Sequence, residues 1–124
     1  VMWGKNVVFV VIRPGRFTKT LVDASNTFSL AFFGGGEKKL LGYMGSASGW
    51  NENKIEKAGL TVLHQEETPY FAEAGTVFIC KKLYVQEMTP ESFIEKELDA
   101  KWYPESDYHI LYVAEVTQIL QKEA

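Results

Sequence analysis

The sequence predicts a mainly β domain, an antiparallel barrel with short helices at its periphery. Three observations carry that expectation. Runs rich in Val, Ile and Phe, among them "VVFVVI" at 7–12 and "TVFICKKLYV" at 76–85, have the length and composition of strands. The segments between such runs are short and irregular, which suits antiparallel strands better than a parallel sheet with long crossover helices. The 124 residues are the size of one domain, and with 46% apolar and 14% aromatic residues they can close a core without disulfides or metals.

Taken in order, Asn6 to Arg13 is apolar on both faces and reads as a central strand. Pro14-Gly15 breaks it. "FTKTLVDAS" reads as a short helix starting near Phe17 or Thr18, with Leu21, Val22 and Ala24 on its apolar side. "NTFSLAFF" alternates Phe28, Leu30 and Phe32 with Thr27, Ser29 and Ala31, a half-buried strand. A helix is expected around Glu37 to Met44, and a turn and short helix ending at Gly59. Residues 60 to 75 read as an edge strand and loop, because Thr68-Pro69 interrupts the pattern. "AGTVFICKKLYVQEM" is a long strand with a bend at Lys81-Lys82. "TPESFIEKELDAKWYP" is the clearest helix: Thr89 caps it, Pro90 suits its first position, Glu91 complements its dipole, Phe93, Ile94 and Leu98 form a stripe, and Pro104 stops it. "DYHILYVAEVTQIL" is the last strand.

Bulk properties narrow the function. A net charge of -3 provides no global basic field for nucleic acid. No apolar run approaches the ~20 residues of a membrane helix, and no segment reads as a signal peptide. The single cysteine, Cys80, sits in an apolar run and reads as a small buried hydrophobe, which suits a reducing, cytoplasmic setting. The two histidines, His64 and His109, make no metal-binding spacing with it. "GGGEKK" lacks the glycine spacing of a dinucleotide loop, and no Gly-x-Ser-x-Gly elbow is present. Trp50, Trp102 and Tyr103 read as packing or dimer contacts.

The chemistry concentrates where the first strand ends. Arg13, Arg16, Thr18 and Lys19 cluster at a helix start, where guanidinium groups and hydroxyls suit a phosphate. An exposed turn whose arginines pair with nearby carboxylates is the other reading. "GSASGWNENK" offers a hydroxyl-lined loop with Ser46 and Ser48, followed by Lys54, or else an ordinary connection. His109, beside Asp107 in "SDYHIL", is either a barrel-rim residue or part of a pocket.

Four stretches, "RPGRFTKTLVDASNTFSLAFF", "LGYMGSASGWNENKIEKAGL", "LYVQEMTPESFIEKELDAKWYP" and "DYHILYVAEV", follow one another in an order that resembles the flavin reductase-like family, and within it the flavoredoxin-type branch. The resemblance spans nearly the whole chain. It implies an FMN-binding split β-barrel, antiparallel and Greek-key, with short peripheral helices. It implies that Arg13, Arg16, Phe17, Thr18, Lys19, Ser48 and Lys54 bind FMN, and that His109 lies in the substrate pocket. The family's flavin-lining first strand is not found ahead of Val1, so residues 1–124 are read as one split-barrel domain without that strand. The usual Asp-His pair is here Asp107-Tyr108-His109, and Trp50-Asn51 stands where an Arg-Asp pair is expected. The activity implied is oxidoreduction from NAD(P)H through FMN to a small-molecule or protein acceptor, in a homodimer, with no catalytic side chain and no metal. The alternatives are an FMN-bearing electron carrier with little NAD(P)H turnover, and a flavin-free interaction domain.

Overall fold

A computed structural model describes residues 2–33 and 60–122. Among the described residues there are six strands, all antiparallel: β1 (Val7–Ile12), β2 (Thr27–Phe32), β3 (Val62–Gln65), β4 (Thr68–Phe71), β5 (Thr76–Glu87) and β6 (Ile110–Gln121). Four of them form one sheet in the order β1-β6-β5-β2, and β3-β4 is a separate hairpin. Helix α1 (Phe17–Asp23) follows β1, and helix α2 (Lys96–Trp102) lies between β5 and β6.

β5 and β6 are the centre of the sheet. Tyr112, Val113 and Ala114 are consecutive and all buried, as are Ile79 and Cys80. Consecutive buried residues on a strand point to opposite faces, so both faces of this central pair are covered. Lys81 and Lys82, where a bend is expected, pair in regular register, and the β5–β6 register shifts on either side of them, between Ile79 and Cys80 and again between Lys82 and Tyr84. Such irregularities increase the local twist and let a long strand curl. Cys80 is fully buried, and burial pushes its thiol up to about 11. The native protein should therefore resist thiol-modifying reagents and react with one equivalent only once unfolded; a thiol titration with and without urea checks this.

Three expectations need correction. β1 is not central. It lies at the end of the described sheet, pairs only with β6 there, and leaves Phe9 and Val11 exposed. Its apolar composition does not reveal whether a neighbour covers each face. Residues 60–75 hold two strands rather than one. They are joined by Glu66-Glu67, with Glu66 at φ 56, a left-handed conformation that a glycine would adopt more cheaply. The hairpin docks beside β2 through the Thr27–Thr68 hydroxyl pair at 2.7 Å and through Ser29, which donates to the Pro69 carbonyl at 2.7 Å. Finally, residues 89–104 are not one helix. A single 3-10 turn, Pro90–Ser92, is followed by extended Phe93 and Glu95 before α2 begins. Phe93 turns onto Tyr103 and Tyr108, with centroids 5.9 and 6.3 Å away, and this contact replaces helix continuation. The Thr89 hydroxyl bonds Ser92 instead of capping, and Ile94 is 96% exposed. The helices expected around 37–44 and before Gly59 lie outside the described residues. Among the described residues no helix is long and apolar enough to cross a membrane.

Candidate functional site

The site is assembled by strand register. β1 pairs with β6 so that Ile12 faces Ile110 and Val11 faces Leu111. Continuing that antiparallel register by one step sets Arg13, at the exit of β1, against His109, at the entry of β6. Pro14-Gly15 then turns the chain, with the Arg16 N–H donating to the Arg13 carbonyl at 3.2 Å, and α1 begins. Arg13, Arg16 and His109 thereby line one open cavity of about 490 Å³ with Val11 and Ile12.

Helix α1 is held in place from below. Tyr112, fully buried on β6, donates its hydroxyl to Asp23 Oδ1 at 2.6 Å. Lys82, between the two bulges of β5, donates to the Val22 carbonyl at 2.8 Å. Lys19 pairs with Asp23 one turn along the same helix. The Lys19 contact, then the Tyr112 hydroxyl, hold the Asp23 carboxyl below its usual range. These bonds fix the angle at which α1 leaves the cavity rim.

Arg13 is strongly engaged. One guanidinium nitrogen donates to Asp107 Oδ2 at 2.7 Å, the other to the Trp102 carbonyl at 2.9 Å, and the group lies 5.1 Å from the centre of the Tyr103 ring. The chain reaches this arrangement through a tight turn in which the Ser106 N–H donates to the Tyr103 carbonyl at 3.1 Å and Ser106 sits at φ 60. Tyr103 in turn touches His109: its hydroxyl lies 2.6 Å from Nδ1. Burial, and then the Arg13 charge, hold the His109 imidazole below its ordinary value against the opposing pull of Asp107. The imidazole therefore favours its neutral form.

The structure brings three of the expected site residues, Arg13, Arg16 and His109, onto one cavity. Lys19 is on the adjoining helix but directed to Asp23. Phe17 and Thr18 open α1, and their side chains are outside the described set. Ser48 and Lys54 lie outside the described residues. Arg13 pairs with a carboxylate, as the exposed-turn reading expects, and it also lines the cavity. Sequence reasoning passed over Asp107 and Trp102 as partners of Arg13, and Tyr103 as the partner of His109. "WYPESDYH" carries a detectable signal for them: a Pro-containing turn between the aromatic pair Trp102-Tyr103 and the polar-aromatic run Asp107-Tyr108-His109.

The donor set suits a phosphate. Two guanidiniums and an imidazole on one wall supply fork geometry and positive charge, whereas a seven-residue α1 contributes little dipole. A second cavity of about 370 Å³ lies against Met88, Phe93 and Leu111, but its charged lining residue is Glu87, which disfavours an anion.

No family model and no curated protein matches the chain. Solved structures do. An FMN-binding protein from Thermus thermophilus, solved with p-hydroxybenzaldehyde, is similar at 25% identity and a TM-score of 0.69, covering 95% of this chain and 56% of its own. Flavoredoxin from Methanosarcina acetivorans is similar at 18% identity and a TM-score of 0.74, covering 94% of this chain and 53% of its own. An FMN-binding domain of a flavin reductases-like enzyme from Shewanella baltica OS155 is similar at 19% identity and a TM-score of 0.66, covering 91% and 52%. The chain thus spans about half the length of the solved structures it matches. The antiparallel sheet and these alignments along nearly the full chain agree: the chain has the split-barrel fold of these structures.

Proposed function

We propose that the chain is an FMN-binding redox domain in which the corner after β1 holds the flavin phosphate. The observation that supports this is the meeting of Arg13, Arg16 and His109 on one cavity, in a fold shared with proteins described as FMN-binding. Arg16 and Arg13 neutralise the phosphate, Thr18 and Lys19 flank it, and Ser48 and Lys54 complete the cofactor contacts. Bound FMN supplies the redox chemistry, while the chain positions it, balances its charge and limits water. His109 lies on the same cavity as the two arginines and faces the phosphate in this proposal. NAD(P)H is the reductant in this proposal, the acceptor is a small molecule or a protein, and the working unit is a homodimer.

A second reading has support in the flavoredoxin similarity: an FMN-bearing electron carrier that turns nicotinamide over poorly. Titrating FMN against the protein while following flavin fluorescence tests the shared claim, with saturable quenching expected. Absence of any saturable change removes both readings and leaves a flavin-free interaction domain. Rapid mixing of the FMN-loaded protein with NADH or NADPH separates the two. Fast loss of the oxidised-flavin absorbance supports the reductase, and slow loss supports the carrier.

A further inference from the structure

The Tyr103–His109 contact assigns protons. A neutral imidazole carries one N–H, and the partner of Nδ1 decides which nitrogen keeps it. The Tyr103 hydroxyl has one proton and two acceptors in view: His109 Nδ1 at 2.6 Å and the Met88 sulfur at 3.9 Å. An sp² ring nitrogen at the shorter distance is much the stronger acceptor, since a thioether is a weak one. Were Nδ1 instead the donor, the phenolic proton would be left to the distant sulfur. The proton on the ring therefore belongs to Nε2. The ring that carries this N–H lines the cavity together with Arg13 and Arg16.

We propose that Tyr103 is a positioning residue: by donating to Nδ1 it fixes His109 as the Nε2–H tautomer, and it thereby makes His109 a neutral donor to an oxygen of the anion bound between Arg13 and Arg16. The anion part rests on the phosphate reading above; the tautomer part does not. Arg13 braces the arrangement, because its bonds to Asp107 and to the Trp102 carbonyl hold the turn on which Tyr103 sits, and its charge lies over the Tyr103 ring. Among the described residues, the groups packed around the imidazole are Arg13 after β1, Asp107 on its own approach, Tyr103 after α2 and Met88 after β5, whose N–H donates to the His109 carbonyl at 3.1 Å. Of these only Arg13 and Asp107 carry charge, and they pair with each other at 2.7 Å. That balance favours a neutral donor over an imidazolium.

The test is long-range proton–nitrogen NMR on the ¹⁵N-labelled full chain near pH 8. The two histidines are told apart with a His64→Gln variant. The expected wild-type pattern is a single dominant Nε2–H tautomer for His109, giving way to a mixture in Tyr103→Phe, which keeps the ring and loses only the hydroxyl. An Nδ1–H tautomer in the wild type, or an unchanged pattern in Tyr103→Phe, overturns the positioning role. Inorganic phosphate is then added. Shifts in the His109 Nε2 signal together with the Arg13 and Arg16 Nε–H signals support the donor role. Arginine shifts with an unmoved Nε2 overturn it. If neither moves, the phosphate reading fails and the anion-donor role falls with it, while the tautomer result still supports the positioning of His109 by Tyr103.

Discussion

Replacing Tyr112 with alanine should lower the unfolding free energy by about 3–5 kcal/mol, the cost of emptying a large buried side chain. Tyr112 has no exposed surface, sits on the central strand β6, and reaches under α1 to Asp23. The urea midpoint should fall with little change in slope. Tyr112→Phe isolates the hydroxyl: it keeps the packing, removes a bond to a carboxylate, and should cost roughly 1.5 kcal/mol. A pH series adds a signature. Burial, and then Asp23, push the Tyr112 phenol far above its usual range, so the folded protein holds that proton where the unfolded chain releases it. A raised folded value means stability is fully present below the unfolded value and is lost as pH rises beyond it. Wild-type stability should therefore decline above about pH 10, and the decline should be shallower in Tyr112→Phe. Equal alkaline slopes in the two proteins would show that the phenol is not held as the geometry indicates.

Arg16→Ala should weaken FMN binding by about tenfold to a hundredfold, the equivalent of losing one charge-assisted contact worth ~1.5–3 kcal/mol. Arg16 is exposed and lines the cavity. Arg13 has a second task. Its guanidinium already ties Asp107 and the Trp102 carbonyl together, so Arg13→Ala should disturb the 102–109 turn and affect FMN less directly. Asp107→Asn separates the two roles: it removes the carboxylate that competes with a phosphate for Arg13, and FMN binding should become tighter. Fluorescence titrations of the three variants, repeated at high salt, read the order. An Arg16→Ala protein with wild-type affinity would end the phosphate assignment.

What the sequence disclosed follows from how locally each feature is encoded. β5 and β6 were legible because their β-branched runs are long, whereas the two register shifts of β5 fall on either side of Lys81-Lys82 rather than at it. The β3–β4 hairpin was not, because Glu66-Glu67 carries none of the usual turn residues and relies on its flanking strands to hold Glu66 at positive φ. The helix over 89–104 had good local signals, but Phe93 gains more from Tyr103 and Tyr108 than from continuing a turn. In the candidate site, the cationic corner was visible as a cluster, and the resemblance indicated which ligand to expect. Its partners were not visible: Asp107 lies 94 positions beyond Arg13, and only strand pairing brings them together.

That pairing makes the cavity sensitive to chain length in a way composition does not show. Inserting or deleting one residue within Val7–Ile12 reverses which side of the sheet each later side chain meets, so Arg13 would no longer oppose His109 even with every site residue intact. Single-residue length changes in this strand should therefore be far more damaging than substitutions at its exposed Phe9 or Val11, and the spacing itself acts as a component of the cavity.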